Sequence, residues 1–436
     1  MVEASPLLLR QVRVLGGPGE PSRLADVLLQ GQELLAIDAA AHQACAALAV
    51  APPVFDGEGE CWLAPPLVDP HSLLEDPFTA GRESLASLAA AAVRGGYGTV
   101  ALLPAAQPWR DRPERLQLRW PDPLDLRLWG SFSLEGQHQE LAPHGDQLAA
   151  GAVGIAAGEQ LPPALLLERG LALAEMDQAP VLLAPRDPSL VAQGFVRERV
   201  EALRAGWPLD PVLSETLPLT VLLTLAAAHP HRQLRLMNLS TAEGVALLMR
   251  QAASLPTPPL ASVCWWHLLA DSGSLTPQAT GWRVRPSLGG PSDRQALIEA
   301  LEKGWIQAVA IHHRALDPEE HLLPLDQRRP GLAGHGVALS LLWQELVARR
   351  GWTVEALWQV LCWGPAVFLQ LEPPRLQAGS RRWILVDPRC RWRWEPSTCP
   401  SQAANQPVWQ ETVQGRVVAS GLTGPEAWCL PGIPSP

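Results

Sequence analysis

Short apolar segments alternate with helix-like segments through the middle of the chain, and this alternation constrains the fold more than any other feature. The apolar segments include YGTVALL, GAVGIAAG, PVLLAPRD, ASVCWWHLL and QAVAIHH. Most are separated by segments with helical spacing of apolar residues, such as RQALIEALEKG. Continuously apolar strands that alternate with helices are typical of a parallel sheet covered by helices. Eight such strands fit a closed (β/α)8 barrel.

The two ends of the chain have a different pattern. Residues 1–60 contain short strand-like segments and turns, as in LLLRQVRVL, and after residue 370 the helices stop and segments such as TVQGRVV follow. We therefore predict an α/β protein in three chain segments. Residues 61–369 form a TIM barrel, and residues 1–60 and 370–436 together form a small β-sandwich domain.

Composition excludes several classes of function. The net charge of -10 over 436 residues argues against a nucleic-acid partner. The chain has no run of 18 or more apolar residues, so we expect no transmembrane helix. The N-terminus has an early Glu3 and no cleavage pattern, which argues against a signal peptide. Seven cysteines without a C-x-x-C pair favour reduced thiols and a cytoplasmic location.

One segment, LVDPHSLLEDP at residues 67–77, has half of a metal-binding pattern. Side chains at positions i and i+2 of a strand point to the same face, so His-x-His on a strand can hold one zinc ion. Here His71 is followed at that spacing by Leu73, which cannot bind a metal.

Nine segments, in the correct order, resemble the dihydroorotase branch of the amidohydrolase superfamily along nearly the whole chain. APPLVDPHSLLEDP is similar to P-G-x-x-D-x-H-x-H-x-R-x-P, and GGYGTVALLPAAQP to a segment that contains M-P-N-T. LMNLSTAEGVALL is similar to the H-x-S-T segment, and QAVAIHHRA to the D-H-A-P-H segment. The resemblance implies a TIM barrel with a β-sandwich, and zinc-dependent hydrolysis of a cyclic amide.

The family's usual ligand, substrate-binding and catalytic residues are replaced at most of the matching positions. Leu73 stands where the family has a second strand-borne ligand, Glu75 where it has a substrate-binding Arg, and Ala105 where it has an Asn. Ala184 and Asn238 stand where the family has two ligand His, and His312 stands where it has a catalytic Asp. The bridging Lys or Asp has no equivalent, since only Ala156 and Ala157 precede Gly158 at the matching place. The single lysine, Lys303, cannot substitute, because it lies in a predicted helix. Only His71 remains, and one imidazole is too few for a zinc site. Glu75 is a charge reversal that we expect to repel an anionic substrate.

Two rebuilt sites stay open as alternatives. His71 and His312 are weak metal candidates that could face each other across the barrel mouth, with His267 or His335 as a third ligand. His312 and the adjacent His313 would point to opposite faces of a strand and could not share one ion. The second alternative is a nucleophilic Cys264 near His267.

Tryptophan is abundant in the second half of the barrel. Six of the 18 tryptophans cluster there, namely Trp265, Trp266, Trp343, Trp352, Trp358 and Trp363. Such residues pack in cores and between helices, but tryptophan is also enriched at protein–protein interfaces. The cluster therefore predicts either core packing or a partner surface.

We expect a dihydroorotase-like protein of the pyrimidine-biosynthesis family that is catalytically inactive and acts as a structural partner. No catalytic residue, metal ion or other cofactor is assigned, and neither nucleic acid nor membrane is expected to bind. The resemblance implies assembly of inactive dihydroorotase-like chains with aspartate transcarbamoylase, which is the first candidate partner, and a homo-oligomer is compatible with the sequence. The alternative is an active dihydroorotase, or a related cyclic-amide hydrolase, with zinc in a rebuilt site.

Overall fold

A computed structural model describes residues 6–76, 82–121, 123–198, 200–276 and 281–430. The strands are, in chain order, β1 Pro6–Val14, β2 Arg23–Gln30, β3 Glu33–Ile37, β4 Val54–Asp56, β5 Trp62–Ala64, β6 Leu67–Ser72, β7 Tyr97–Leu102, β8 Asp125–Leu128, β9 Gly130–Ser131, β10 Ile155–Ala156, β11 Pro180–Leu183, β12 Val196–Arg197, β13 Leu209–Asp210, β14 Gln233–Leu236, β15 Leu260–Cys264, β16 Ala308–Ala310, β17 Ile384–Arg393 and β18 Thr412–Ser420.

The α-helices are, in chain order, α1 Ala39–Ala46, α2 Leu85–Arg94, α3 His144–Ala149, α4 Ala164–Ala172, α5 Pro188–Val191, α6 Val200–Arg204, α7 Leu213–Ala228, α8 Ala242–Ala252, α9 Pro291–Glu302, α10 Pro318–Leu322, α11 Ala338–Leu342, α12 Val354–Trp358 and α13 Gly364–Phe368. Two π-helical segments, Trp343–Arg349 and Gln359–Trp363, extend α11 and join α12 to α13. Side-chain caps fix several helix starts, as where the Thr241 hydroxyl accepts from the Gly244 N–H at the start of α8.

The middle of the chain forms the predicted barrel. Parallel pairing runs through β6, β7 and β8 and then from β9 through β10, β11, β14 and β15 to β16, while β8 and β9 are one strand interrupted at Trp129. The barrel closes where the His312 N–H donates to the His71 carbonyl at 3.1 Å and the Leu73 N–H to the His313 carbonyl at 2.8 Å. The predicted fold class is therefore confirmed. The carboxyl ends of these strands form the mouth that such barrels use for function.

Both ends of the chain contribute to one seven-stranded sheet. Its order is β18, β17, β5, β1, β2, β3, with β4 beside β1. The central strand β5 lies parallel to β1 and antiparallel to β17, so residues 62–64 belong to this sheet. Alternate side chains such as Leu9, Val27, Leu63 and Trp383 bury one apolar core. This is the predicted β-sandwich domain.

The tryptophans of the second half pack in the barrel core. Trp265, Trp343, Trp352, Trp358 and Trp363 are buried, and Trp266 is partly buried. The Trp343 ring makes an edge contact with Trp358, at 6.2 Å between centroids. The interpretation of this cluster as a partner surface is wrong, because its side chains are used for core packing.

Two further expectations concern helices and thiols. Within the described ranges, no helix combines the length and apolar character that crossing a bilayer requires. The seven cysteines all lie within those ranges, and each is a free thiol.

Candidate functional site

The inner part of the barrel mouth is apolar where the resemblance predicted lost ligands. Leu73 is 2% exposed and Ala184 is 5% exposed. Both belong to one buried apolar cluster with Trp129, Met237 and Phe368. These two positions are therefore filled by packed hydrocarbon.

His71 is fully buried beside this cluster, and both of its ring nitrogens have partners. Nδ1 lies 3.1 Å from Nδ1 of His312, and Nε2 lies 2.9 Å from the Ser262 hydroxyl. Burial, followed by the nearby His312, lowers the pKa of His71 to about 3. The ring is therefore neutral at physiological pH, with one donor nitrogen and one acceptor nitrogen.

Glu159 continues this chain of hydrogen bonds toward the outside. Its Oε1 lies 3.2 Å from Nε2 of His312. Its Oε2 accepts from Arg314 Nη2 at 2.5 Å and lies 3.6 Å from Arg285 Nη1. Burial alone would raise the pKa of Glu159, but the Arg314 and Arg285 guanidinium groups hold it well below the usual range. Glu159 is consequently a carboxylate.

An ionised Glu159 sets the direction of the first hydrogen bond in this chain. It can only accept, so His312 donates to it from Nε2. When His312 is neutral, its Nδ1 accepts from His71, and Nε2 of His71 then accepts from the Ser262 hydroxyl. The Ser262 oxygen in turn accepts from the backbone N–H of Asn238 at 3.0 Å. The two histidines are thus held in a single hydrogen-bonded arrangement.

Glu75 does not present a bare negative charge. Arg329 Nη2 lies 2.6 and 2.7 Å from its two oxygens, Arg82 Nη1 lies at 3.2 Å, and Arg314 Nε at 3.4 Å. The expectation that Glu75 repels an anionic substrate is wrong, because three guanidinium groups from other segments surround the carboxylate.

A small cavity, with room for about one water molecule, lies at the inner mouth. Its polar lining consists of Glu159, Arg186, Arg197, Ser214, Glu215, Asn238, Arg285 and His312. Ala184 also lines it, whereas Ala105 lines an adjoining outer cleft that shares Glu159 and Arg285. Three of the sequence-predicted positions, 184, 238 and 312, therefore meet at one cavity.

The remaining histidines are held elsewhere. His267 Nε2 lies 3.1 Å from the Pro286 carbonyl, and His335 Nε2 lies 2.8 Å from Asp69 Oδ2. His313 faces Glu83 at 3.4 Å, away from the direction of His312. The fold brings His71 and His312 into contact, whereas the His335 ring lies beside His313, with 5.3 Å between ring centroids.

The acidity of both groups disfavours the nucleophile alternative. Burial raises the pKa of the Cys264 thiol to about 12, so the thiolate is strongly disfavoured. Burial, followed by Arg197, lowers the pKa of His267 to about 3.

Comparison with known proteins places the chain. No protein-family model matches it. It is 33% identical to a probable dihydroorotase-like protein of Synechocystis sp., over 94% of this chain and 98% of that protein. It is 30% identical to a dihydroorotase of Thermus aquaticus, over 95% of this chain and 100% of that protein. The chain belongs to the dihydroorotase family.

The solved structures agree at the level of the fold. The L-hydantoinase (dihydropyrimidinase) from Arthrobacter aurescens superposes with a TM-score of 0.75 at 19% identity, over 96% of this chain and 95% of that one. This likeness shows the fold alone. The dihydroorotase relatives confirm the predicted family, and this likeness confirms the predicted fold.

The zinc of the dihydroorotase family does not fit the side chains present here. Across the described ranges, no group of three or more His, Cys, Asp or Glu side chains is placed to hold a metal ion. His71 uses both nitrogens in hydrogen bonds, and Leu73 and Ala184 offer no donor atoms. Zinc in proteins needs at least three such ligands.

Several charged residues of this dihydroorotase-family mouth escaped the sequence analysis. They are Glu159, Arg186, Arg197, Arg285, Arg314 and Arg329. Three of them follow a strand end within four residues: Glu159 after β10, Arg186 after β11 and Arg314 after β16. A search for charged residues directly after apolar strands would have found these three.

Proposed function

We propose that this member of the dihydroorotase family has no zinc-dependent hydrolase activity and acts as a non-catalytic partner protein. The observation that carries the proposal is the packing of Leu73 and Ala184 in the apolar cluster. Family chemistry requires a metal that lowers the pKa of a bound water and polarises the amide carbonyl. The bonding of both His71 nitrogens within the protein adds support.

The first experiment measures metal and turnover together. Purified protein is analysed for zinc, and dihydroorotate hydrolysis and formation are followed beside a dihydroorotase known to be active. We expect less than stoichiometric zinc and no turnover above background, and the His71→Ala variant should match the unaltered protein. Stoichiometric zinc that is lost in His71→Ala, with kcat in the ordinary range of about 1–10³ s⁻¹, would favour the rebuilt-site alternative.

Aspartate transcarbamoylase is the partner we propose, because the family resemblance implies such assemblies. Exposed apolar side chains on α7 support a protein contact. Leu213 and Leu217 are 53% and 47% exposed one turn apart, while Ser214 and Glu215 on the same helix are buried. Since their spacing places both leucines on one face, a partner could cover them together.

The partner test uses light scattering on mixtures of the two purified proteins. We expect a stable complex, which Leu217→Glu should weaken by roughly tenfold or more if this side chain is central. Leu322→Glu is the matched control, because Leu322 is also exposed but lies on α10. Elution of both proteins at their separate masses would contradict the partner proposal.

We also propose that the chain works in the cytoplasm. Its seven free thiols, four of them buried, support a reducing compartment. Fractionation of the native host, followed by detection of the tagged chain outside the soluble cytoplasmic fraction, would contradict this.

A further inference from the structure

The first and last strands of the barrel meet at a seam that lacks a regular ladder. Among the described residues, no series of paired residues joins β6 to β16. Two backbone bonds cross the seam, from the His312 N–H to the His71 carbonyl and from the Leu73 N–H to the His313 carbonyl. Side chains of β6 also contribute, as where the Ser72 hydroxyl accepts from the His313 N–H at 2.9 Å. A joint of this kind relies on contacts made outside the strands.

A segment of the terminal β-sandwich lies at the mouth end of this seam. Residues 395–409, here called the strap, lie within the connection from β17 to β18. The Ser401 hydroxyl and the Gln402 N–H both donate to the Glu83 carboxylate, the latter at 3.1 Å. Glu83 follows β6, lies just before α2 and is only 3% exposed. The strap is therefore anchored on the β6 side of the seam.

Three residues further along, the strap is anchored on the β16 side. The Asn405 side chain is fully buried. Its amide oxygen accepts from the Leu316 N–H at 2.9 Å, and its amide nitrogen donates to the Arg314 carbonyl at 2.8 Å. The Ala404 N–H donates to the Leu316 carbonyl at 2.9 Å. Because Arg314 and Leu316 follow β16, the two anchors lie on opposite sides of the seam.

The backbone of the strap is held in a conformation that it does not prefer. Val408 has a φ of 48°, in the left-handed region that a β-branched residue rarely adopts. Its side chain packs against the main hydrophobic core. Strained backbone of this kind persists only where the surrounding contacts determine it, and it is concentrated at ligand sites and switch regions. The docked path of the strap is therefore set by its contacts with the rest of the chain.

The second anchor reaches the charged groups of the mouth through Arg314. Asn405 bonds to the Arg314 carbonyl, while the Arg314 guanidinium donates to Glu159 Oε2 at 2.5 Å. The same guanidinium lies 3.4 Å from Glu75. The strap thus holds the residue whose side chain neutralises two carboxylates of the mouth.

We propose that the strap is a conformational latch of the barrel mouth. Docked, it holds the β6–β16 seam closed and keeps Arg314 on Glu159. Released, it lets the seam open at the mouth and lets the Arg314 side chain turn away. The two states differ in the bonds at Glu83, Arg314 and Leu316, so a change that removes those bonds shifts the equilibrium between them. The inference concerns this barrel alone, and it stands whether or not a partner protein is found.

Hydrogen exchange, measured by mass spectrometry on the full chain, tests the latch. The amides to follow are those of Leu73, His312 and His313, because they bond across the seam and not to the strap. Asn405→Ala removes side-chain bonds of the anchor on the β16 side, and Ser401→Ala weakens the anchor on the β6 side. We expect seam exchange to be about tenfold faster or more in Asn405→Ala, since two bonds to buried groups are lost. Ser401→Ala should accelerate it about three- to tenfold, since one bond is lost.

A matched control lies in the strap itself. The Ser397 side chain is exposed, and its hydroxyl bonds to Glu395 of the same segment, so Ser397→Ala should leave seam exchange unchanged. Strand β11, which lies away from the seam in the strand order, should exchange alike in every variant. Circular dichroism checks each fold. Asn405→Asp replaces any Asn405→Ala protein that fails to fold, because it keeps the acceptor for Leu316 and loses only the donor to the Arg314 carbonyl.

Trypsin, which cleaves after arginine, measures the release of Arg314. This residue is 9% exposed and its carbonyl is bonded to Asn405, so the peptide bond after it is protected in the docked state. We expect cleavage after Arg314 to be about tenfold faster in Asn405→Ala and unchanged in Ser397→Ala. The reason is that proteolysis of a transiently opened segment follows the population of the open state.

Each contrary result overturns the proposal. Unchanged seam exchange in both anchor variants would mean that the barrel closes without the strap. An effect of Asn405→Ala without one of Ser401→Ala would make the strap a local contact of residues 314–316. Equal acceleration at β11 would reveal a general loss of stability, and equally slow cleavage after Arg314 in every variant would mean that the strap does not control this side chain.

Discussion

Replacing Leu73 by His tests whether the apolar cluster has closed the family's metal position. The substitution restores the His-x-His pattern in the segment that contains His71. It also places an imidazole among Trp129, Met237 and Phe368, which offer apolar surface at this point. We expect a marked loss of stability and no gain of a metal site.

The size of the loss follows from the burial of Leu73. Removing a fully buried leucine side chain forfeits about 1.5–3 kcal/mol of transfer free energy. Burying imidazole nitrogens without partners costs about 1–3 kcal/mol more. Since the two side chains are similar in volume, little cavity is created. We therefore expect the free energy of unfolding to fall by about 3–5 kcal/mol.

Urea unfolding at pH 7, followed by tryptophan fluorescence, measures this change. Leu73→Met is the matched control and should cost less than about 1.5 kcal/mol, because it conserves volume and apolar character. Both variants are measured with a chelator and with excess zinc. Zinc should leave the unfolding midpoint of Leu73→His unchanged, since His71 and Ala184 supply no free ligand atoms.

Two results would refute this reasoning. A loss below about 1 kcal/mol would mean that the cluster around position 73 is loosely packed. A zinc-dependent rise in stability with one bound ion per chain would mean that the mouth still assembles a metal site.

Three further predictions follow from named contacts. Glu75→Arg should lower the free energy of unfolding by roughly 1–3 kcal/mol and restore no dihydroorotase activity, because Arg314 and Arg329 lose their shared anion; urea unfolding and the turnover assay check this. The pKa of His71 is lowered to about 3 in the folded protein, against 6.5 when unfolded, so the unfolded state binds the proton first. Stability should fall between pH 6.5 and 3, by up to about 1.4 kcal/mol per pH unit for this group, and unfolding series at several pH values should show a shallower slope for His71→Gln. Trp358→Phe should lower stability by about 1–3 kcal/mol without changing partner binding, because this buried indole packs in the core; a lower partner affinity at unchanged stability would contradict that.

The barrel could be predicted because its signal is carried by consecutive residues. Segments such as 97–102 and 180–183 are buried on both faces, so their apolar character is continuous. The place of Leu73 and Ala184 at the barrel mouth could also be predicted, since both lie in segments with a fixed place relative to strand ends. Both features are determined by residues that are close together in the sequence.

The charges of the mouth could not be predicted in the same way. Glu75 is neutralised by arginines that are 7, 239 and 254 positions away in the chain, and loops give no periodic signal for side-chain direction. The number of tryptophans in a segment likewise does not show whether their side chains are buried or exposed. The sequence therefore indicated which positions differ from the family's motifs, but not the guanidinium groups that gather at the same mouth.

The central strand of the terminal sheet has a consequence for synthesis on the ribosome. β5 emerges early but pairs with β17, which begins roughly 320 residues later. At about 5–20 residues per second, that partner arrives some 16 to 64 seconds afterwards. During this interval one edge of β5 is an open template for other strands. A chain that stops short of β17 keeps that edge unpaired, so truncated products should aggregate through this strand more readily than the full chain.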